Sequence, residues 1–243
     1  MSFLTPVLPT VRPRDCTATI AQSIWLTPTI KSIRLTLDQP TFRFLPGQAI
    51  WPNFVREGRR FSKIYSIASA PLDCTVVELC VSRVGWSSAY LQDLQPGETI
   101  TARGPYGLLT LDRVPDRPLV YLAEGSGIAP IKSQVDWLYA QCCTQPIWLI
   151  QANPETPDCL PYTEHFQALA QQWPNFHYQT AMTPSPEQCL TELTTAFQAQ
   201  GRSLGQMGVF ICAVNRRTLD LQQAAIAAGA LPSNIKLETF HSF

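Results

Sequence analysis

The spacing of apolar residues changes once along this chain, close to residue 115, and no other feature constrains the fold as much. Before that point, short apolar or alternating runs such as Ile33–Leu37 and Val76–Val81 are separated by turn residues, for example Leu45–Gln48. Short strands at roughly 8–12-residue spacing are typical of an antiparallel barrel or sandwich. We therefore expect a β-barrel in this part of the chain, with one short helix at Ser88–Leu94.

After residue 115, strand-like runs alternate with segments of helical length. The predicted strands are Leu119–Ala123, Ile147–Gln151, Phe176–Thr180, Val209–Cys212 and Ile235–Glu238. The predicted helices between them are Ile128–Tyr139, Thr163–Gln172, Glu187–Gln200 and Arg216–Ala228. This alternation indicates βαβ units and a parallel sheet. The expected organisation is an α+β fold of two domains, with an extended lead at 1–14, an antiparallel barrel at 15–114 and a doubly wound α/β domain at 115–243.

Composition and charge argue against several classes of protein. Of the 243 residues, 45% are hydrophobic and 15% are charged, so the chain can bury a sizeable core and is not disordered. Lys and Arg together number 18, as do Asp and Glu, and this balance argues against a nucleic-acid-binding protein. No apolar stretch approaches the ~18 residues of a membrane span, and the first residues lack the basic and apolar regions of a secretory signal. A cytoplasmic protein is expected.

Cysteine spacing predicts neither disulfides nor a metal site. None of the eight cysteines forms a Cys-x-x-Cys pair, and no spacing matches a zinc site or a plant-type iron–sulfur loop. A fold built on disulfides would be shorter and richer in cysteine. With only three histidines in addition, we expect reduced thiols, no metal and no attached iron–sulfur module.

The strongest local motif follows the first strand of the second domain, where the chain reads Glu-Gly-Ser-Gly-Ile-Ala-Pro at 124–130. Gly125 and Gly127 let the backbone approach a ligand closely, and the following helix offers free N–H groups to a phosphate. Pro130 suits the first helical turn, where a missing N–H costs nothing. The third glycine of the usual dinucleotide-binding motif is absent, so a simple strand-to-helix turn remains the alternative.

Two further clusters lie in the predicted barrel. Lys63, Tyr65 and Ser66 place a cation, a ring and a hydroxyl close together. On a continuous strand, Lys63 and Tyr65 would share a face while Ser66 points the other way. That arrangement would suit phosphates and a flat cofactor, and the alternative is a surface strand with a buried tyrosine. Gly85–Leu91 places glycine and serine at a predicted helix start, which is a second candidate anion site.

Six motifs, in this order, resemble those of the ferredoxin–NADP reductase superfamily, and more narrowly of its compact bacterial flavodoxin- and oxygenase-reductase branches. The matches are Lys63–Ser66 to Arg-x-Tyr-Ser, Cys80–Arg83 to a strand ending in Cys-Val-Lys-Arg, Gly85–Ser88 to the Gly-x-x-Ser pyrophosphate turn, Gly104–Gly107 to Gly-Pro-x-Gly, Gly125–Pro130 to Gly-Thr-Gly-Ile-Ala-Pro, and Glu238–Phe240 to Glu-x-Phe. The resemblance covers residues 15–243.

The resemblance implies a Greek-key barrel that binds FAD and an α/β domain that binds NADH or NADPH. In the family, the tyrosine matched by Tyr65 stacks on the isoalloxazine, the serine matched by Ser66 hydrogen-bonds near flavin N5, and the arginine matched by Lys63 contacts the pyrophosphate. Catalytic roles are implied for Ser66, Cys212 and Glu238. The implied cofactor-binding residues are Lys63, Tyr65, Ser66, Cys80, Val81, Gly85, Trp86, Ser87, Ser88, Gly125, Ser126, Gly127, Pro130 and Phe240.

The activity that the resemblance implies is hydride transfer from the nicotinamide to flavin N5, with electrons then passed to a separate acceptor. The acceptor would be another protein or a small oxidant such as free flavin or a ferric chelate. The second hypothesis is a degenerate flavoprotein subunit or sensor that no longer oxidises NAD(P)H.

Two departures from the family pattern favour that second hypothesis. Glu124 replaces a glycine beside the pyrophosphate turn, where a carboxylate repels a diphosphate unless it turns away or is paired. Ala213 and Val214 replace the Gly-Pro that follows the family cysteine, which is matched by Cys212.

A third departure concerns the choice between NADH and NADPH. The segments Gln151–Glu155 and Ala181–Pro184 lack the cation that grips a 2′-phosphate in the family. NADH is therefore the expected reductant, unless an arginine elsewhere supplies the contact. The candidates for such a contact are Arg202, Arg216 and Arg217.

Overall fold

The computed structural model describes residues 12–56, 58–73, 75–152, 160–181, 186–199, 201–214 and 216–240. Their contacts group into two units. The first unit extends to Val114 and also includes Ala129–Cys143, and the second comprises Pro115–Ile128 and the described residues from Thr144 to Phe240. The helix predicted at Ile128–Tyr139 therefore packs mainly with the first unit. The domain ranges 15–114 and 115–243 stay predictions.

The first unit is built on an antiparallel sheet. Its strands are β1 (Arg14–Trp25), β2 (Ile30–Leu37), β3 (Ala49–Arg56), β4 (Arg59–Ser62), β5 (Tyr65–Ser66), β6 (Val76–Ser82) and β7 (Thr99–Tyr106). Its helices are α1 (Trp86–Asp93), which begins two residues earlier than predicted, and α2 (Ile128–Ala140). The strand order is β4-β3-β7-β1-β2-β6, so that β7 lies between β3 and β1. Strands that are distant in sequence but adjacent in the sheet are typical of Greek-key connections.

A two-residue strand closes this sheet into a barrel. β5 pairs with β3, with Ser66 opposite Ala49, and the next residue, Ile67, bridges to Leu79 of β6. β3 and β6, which lie far apart in the strand order, are thereby joined, and the predicted antiparallel barrel is confirmed. Closure leaves few exposed strand edges and encloses one core.

Alternating apolar residues fill the barrel core. In β2, Ile33, Leu35 and Leu37 are buried, whereas Arg34 and Thr36 between them are exposed. Complete burial of one such side chain stabilises the fold by about 1.5–3 kcal/mol. Tyr65 of β5 and the following Ile67 belong to the same core, so the strand that closes the barrel packs against this apolar interior.

The strand predicted through Lys63 and Tyr65 is interrupted. β4 ends at Ser62 and β5 begins at Tyr65, so the two residues between them lie outside the strand ladder. In the register that β4 and β5 share, Pro52 of β3 falls opposite Lys63 and has no N–H to donate. The continuous strand expected through Lys63 and Tyr65 is therefore not observed, and the shared face of these two residues stays a prediction. Tyr65 and Ser66 are both buried.

The second unit contains a parallel sheet with the order β10-β9-β8-β11-β12. Its strands are β8 (Leu119–Glu124), β9 (Ile147–Ala152), β10 (Phe176–Ala181), β11 (Gly208–Val214) and β12 (Ile235–Phe240). Its helices are α3 (Thr163–Gln172), α4 (Pro186–Ala199) and α5 (Arg216–Ala227). All neighbouring strands are parallel, which confirms the predicted doubly wound sheet. The order reverses between β8 and β11, and ligands of such sheets bind at the carboxyl ends of the strands at this point.

The predicted elements of the second half agree with the observed ones to within about two residues at each end. The extended lead predicted at 1–14 lies mostly outside the described residues, and β1 already begins at Arg14. Among the helices of the described ranges, none is both long enough and apolar enough to cross a membrane.

Candidate functional site

The strand that closes the barrel carries the first part of the candidate site. Tyr65 and Ser66 are 8% and 3% exposed, and Ser66 Oγ is buried without a hydrogen bond. Burial raises the pKa of Tyr65 to about 12, although a side-chain hydrogen bond with Ser87 acts in the opposite direction. Buried hydroxyls normally have partners. Ser66 Oγ therefore fits a site where a bound group completes its hydrogen bonds.

The turn at the start of α1 carries the second part. Ser88 Oγ accepts hydrogen bonds from the N–H groups of Val84 and Gly85, each at 3.0 Å, and donates one to the Gly85 carbonyl at 2.9 Å. The N–H groups of Trp86 and Ser87 precede the first intrahelical bond. Those N–H groups and the Ser87 hydroxyl are suited to an anion, whereas the Ser88 hydroxyl holds the turn itself.

The predicted residues Cys80 and Val81 belong to β6, the strand that precedes this turn in the chain. Both are buried in β6. The Val81 carbonyl accepts a hydrogen bond of 2.7 Å from Gln92 Nε2 of α1, and Gln92 is itself fully buried. The main chain of β6 therefore anchors the helix whose first turn forms the candidate anion site.

Lys63 lies in the break between β4 and β5. Its side chain is half-buried, and burial lowers the pKa of its ammonium group. An anionic group placed against Lys63 would favour the charged form. The residue is thus suited to a phosphate contact.

The glycine turn at 125–127 joins β8 to α2 at the carboxyl end of β8. Gly125 has a φ of +57° and open space where a Cβ would lie. Gly127 is instead so closely packed that a Cβ would lie 2.3 Å from the Cys212 carbonyl oxygen. Ser126 and Pro130 are buried beside it. The turn therefore contacts the end of β11 backbone to backbone, where the strand order reverses.

Glu124 does not present an unpaired charge to this turn. Its Oε2 accepts a hydrogen bond of 3.0 Å from Arg217 Nε, and the two side chains are 4% and 27% exposed. Arg217 is the second residue of α5, the helix that follows β11. The repulsion of a diphosphate expected from Glu124 is therefore countered by the cation of the same ion pair.

Cys212 and Glu238 lie opposite each other near the carboxyl ends of β11 and β12. Burial, followed by the charge of Glu238, raises the pKa of the Cys212 thiol well above its ordinary value. Glu238 is partly exposed as a residue, but its Oε2 is buried without a hydrogen bond. Burial raises the pKa of this carboxyl to about 7. The carboxyl can therefore hold a proton near neutral pH.

β11 continues straight through the departure at Ala213 and Val214. The two residues remain paired with β12 as far as Val214 opposite Phe240, and Phe240 is half-buried. The Gly-Pro loop of the family is thus replaced here by two further residues of strand.

A Glu238→Gln variant should be more stable than the wild type above pH 7 and about equally stable near pH 4. The carboxyl pKa is raised from 4.5 to about 7 in the folded state, so folded protein binds the proton more tightly than unfolded protein. The wild type therefore loses stability as the pH rises through this interval, by roughly 3 kcal/mol at most. Urea unfolding of both proteins from about pH 4 to 9 measures the difference. A difference that does not change with pH would contradict the prediction.

Several sequence predictions fall partly or wholly outside the described residues. Of the two segments expected to lack a phosphate-binding cation, only residues 151, 152 and 181 are described, and they lie in strands. Arg202 lies 5.5 Å from the Trp148 ring centroid. Arg216 is 91% exposed, 3.9 Å from Asp220, so its charge is accessible at the start of α5.

The described cysteines include five free thiols, at Cys16, Cys80, Cys142, Cys143 and Cys212. Cys74 and Cys159 lie outside the described residues, and the side chain of Cys189 is not described. Within the part of the chain that the structure describes, no three metal-ligating side chains come together.

Two features of the structure were not predicted from the sequence. Arg217 is visible in the sequence only as a candidate phosphate contact, and its pairing with Glu124 depends on β8 and β11 being neighbours. The second feature is a run of buried polar residues in α2, at 132–134. The sequence contains a signal for this feature: α2 is largely apolar, yet three adjacent residues in it are polar.

Comparison with known proteins identifies both halves of the chain. The model of an oxidoreductase FAD-binding domain matches residues 17–111, and that of an oxidoreductase NAD-binding domain matches residues 121–214. Phenol hydroxylase P5 protein of Acinetobacter pittii (strain PHEA-2) is 34% identical over 188 residues, which are 74% of this chain and 51% of that protein. Ferredoxin–NADP reductase B of Sorangium cellulosum (strain So ce56) is 32% identical over 150 residues, 60% of each protein. This chain thus spans only 51–60% of the length of these relatives.

Solved structures have the same fold. Ferredoxin NADP+ reductase from Neisseria gonorrhoeae, solved with bound FAD and NADP, matches with a TM-score of 0.75 at 23% identity, over 95% of this chain and 99% of that one. The flavohem-like FAD/NAD binding domain of nitric oxide dioxygenase from Vibrio cholerae O1 biovar El Tor matches with a TM-score of 0.77 at 16% identity, over 94% and 100%. An FAD-type barrel followed by an NAD-type sheet is therefore the architecture of this chain.

Proposed function

We propose that this chain, which belongs to the ferredoxin–NADP reductase superfamily, is a flavoprotein reductase that takes electrons from NADH or NADPH and passes them to a separate acceptor. The observation that carries the proposal is the Ser66 hydroxyl, which is buried without a hydrogen bond beside the buried Tyr65, in the strand that closes the barrel. The glycine turn at the reversal of strand order supports a second, nucleotide-binding site.

The barrel residues would hold FAD, which when bound accepts a hydride and releases electrons singly. In this proposal the Tyr65 ring offers a flat apolar surface to the flavin, and the Ser66 hydroxyl donates a hydrogen bond to it. The N–H groups at the Gly85 turn bind the pyrophosphate. Lys63 adds a point charge where the family has a bidentate arginine.

The second unit would bind the pyridine nucleotide. In this proposal the Gly125 turn and the first N–H groups of α2 bind its diphosphate. Glu238 can hold a proton near neutral pH, because burial raises its pKa to about 7. We propose that Glu238 holds a proton at the carboxyl end of β12. The neighbouring Cys212 thiol is neutral, because its pKa is raised.

The acceptor we propose is a protein rather than a small oxidant. Relatives of this chain include the toluate 1,2-dioxygenase electron transfer component of Pseudomonas putida and the phenol 2-monooxygenase reductase component of a Pseudomonas species. An oxygenase component or a ferredoxin is thus the class of acceptor to test first.

Purified protein tests the proposal directly. It should carry a flavin absorbance band that bleaches when NADH is added under argon, and the flavin released by heat should be FAD, since the Gly85 turn suits a pyrophosphate. Ser66→Ala should bleach at least about tenfold more slowly, whereas Ser23→Ala, which removes another buried hydroxyl without a hydrogen bond, should bleach as the wild type does. Bound flavin that neither NADH nor NADPH bleaches would instead support the degenerate subunit or sensor.

Replacing Lys63 by alanine should weaken FAD binding by roughly tenfold or more, because a charge-assisted contact contributes about 1.5–3 kcal/mol. Lys63→Arg should restore or improve binding, since the guanidinium can bind a phosphate through two N–H groups. Equilibrium titration of flavin-free protein with FAD measures the constants. If Lys63→Ala retains the wild-type constant, Lys63 is not part of the site.

A further inference from the structure

Three consecutive residues of α2 are polar and buried, with 8%, 0% and 0% of their surfaces exposed. Each donates a hydrogen bond to a main-chain carbonyl of the barrel. The three bonds run from Lys132 Nζ to Ala68 at 3.5 Å, from Ser133 Oγ to Ser69 at 2.7 Å and from Gln134 Nε2 to Leu109 at 2.6 Å. Burial of polar side chains is costly unless they are hydrogen-bonded. One helix therefore uses three adjacent core positions to hold the barrel backbone.

Lys132 is also the cation of a buried charge cluster. Its Nζ lies 2.9 Å from Asp136 Oδ2 and 3.4 Å from Glu78 Oε2, and the three side chains are 10%, 20% and 13% exposed. Burial alone would lower the pKa of Lys132, but the charges of Asp136 and Glu78 outweigh burial and raise it. The ammonium group is therefore charged, and it ties α2 to β6.

The carbonyls that Lys132 and Ser133 hold belong to the segment Ser66–Ser69, which begins with the candidate flavin contact. The rest of this segment is held as well. The Ile67 N–H donates to the Gln48 carbonyl at 2.8 Å, and the Ala68 N–H donates to the Glu78 carbonyl at 2.7 Å. The Glu78 N–H in turn donates to Ser69 Oγ at 3.0 Å. Ser66 is thus followed by three residues whose main chain or side chain is bound by α2 or by the barrel.

We propose that Lys132 is a positioning residue for the flavin, and this inference rests on the proposed function. By holding the Ala68 carbonyl and neutralising Glu78, Lys132 fixes the segment Ser66–Ser69 before the flavin binds. The ring of Tyr65 and the hydroxyl of Ser66 then need no reordering on binding, which is the physical basis of preorganisation. Lys132 itself need not touch the flavin.

Three variants test this role. Lys132→Met should weaken FAD binding by about tenfold or more, because it releases the Ala68 carbonyl and leaves two buried carboxylates without their cation. It should also change the visible circular dichroism of the bound flavin. Lys132→Arg should restore both. Arg43→Met is the matched control, because Arg43 Nη1 also donates to a main-chain carbonyl of the first unit, that of Phe42 at 2.7 Å, and this carbonyl belongs neither to Ser66–Ser69 nor to α1. Wild-type FAD affinity and circular dichroism in Lys132→Met would overturn the proposal.

Hydrogen exchange of flavin-free protein separates positioning from a purely structural role. In Lys132→Met, the amides of Ile67 and Ala68 should exchange at least about tenfold faster, while that of Leu35 in the β1–β2 pair stays within about twofold. Uniform acceleration throughout the barrel would overturn the proposal. If Lys132→Met does not fold, Ser133→Ala takes its place. In that variant the amides of Ile67 and Ala68 should again exchange faster than the rest of the barrel, by a smaller factor. Uniformly faster exchange throughout the barrel of Ser133→Ala would also overturn the proposal. A wild type that binds no FAD would refute the proposed function, and the exchange pattern would still decide whether Lys132 orders the segment.

Discussion

Gly127→Ala should destabilise the second unit by about 3 kcal/mol or more, a large part of the 5–15 kcal/mol typical of a folded domain. The added Cβ would lie 2.3 Å from the Cys212 carbonyl oxygen, 2.8 Å from its carbon and 3.2 Å from the Ala213 nitrogen. These are all main-chain atoms of a buried strand, so no side-chain rotation can relieve the contact. The loss is measurable by urea unfolding followed through far-UV circular dichroism, and nucleotide binding should fall with it.

Gly125 provides the matched control, because its requirement for glycine has a different origin. Its φ of +57° disfavours alanine, but nothing occupies the space of a Cβ. Gly125→Ala should therefore cost about 1–2 kcal/mol, and Gly125→Asn less, since asparagine tolerates this conformation. At Gly127, asparagine should be no better than alanine. The expectation would be contradicted if alanine lowered stability equally at the two positions and asparagine were better tolerated than alanine at both. That result would show that the chain shifts to relieve the contact between residue 127 and β11.

Arg217→Gln should cost about 3–5 kcal/mol of stability, because it leaves the carboxylate of Glu124 buried without its cation. The Glu124 side chain is 4% exposed and its Oε2 lies 3.0 Å from Arg217 Nε. Glu124→Gln should cost less, since the Arg217 side chain is 27% exposed and retains access to water. The double variant should recover much of the loss, because two amides can hydrogen-bond without a buried charge.

A double-mutant cycle in urea gives the coupling energy, which we expect to be about 1–3 kcal/mol. Arg216→Gln is the control at the neighbouring position. Arg216 is 91% exposed and 3.9 Å from Asp220, and an exposed ion pair of this kind contributes about 0–1 kcal/mol. Additive effects of Arg217→Gln and Glu124→Gln would mean that the pair does not contribute to folding. In that case the repulsion of a diphosphate by Glu124 would again have to be considered.

The secondary structure of both halves could be predicted because it depends on local patterns. Strands such as β2, with apolar residues at alternate positions, and β8, with nearly continuous apolar residues, show their burial directly in the sequence. The glycine turn at 125–127 is recognisable for the same reason: it lies between an apolar run and a helical one. Where the prediction failed, at Lys63, the cause was not local. The strand breaks opposite Pro52, a residue that is a neighbour only in the folded sheet.

In the candidate site, too, the sequence predicted the local features but not those that depend on the folded structure. Its motif residues, including Tyr65, Ser66, Gly85 and Gly127, could be named from short-range spacing. The sequence did not indicate which of their polar atoms remain without a hydrogen bond, because that depends on every group that packs around them. Ser66 Oγ is left without a partner, whereas Ser88 Oγ makes three hydrogen bonds within its own turn.

By itself, the sequence determined two things: a chain of short strands followed by alternating strands and helices, and the glycine, serine and tyrosine motifs that match a flavin- and nucleotide-binding family. These depend on residues close together in the chain, where side-chain periodicity and turn chemistry act. Only the tertiary structure decided that Glu124 is paired with Arg217 and that Lys132 holds the segment after Ser66. Both contacts join residues more than 60 positions apart. Their energies depend on burial and distance, which arise only once the strands have found their neighbours.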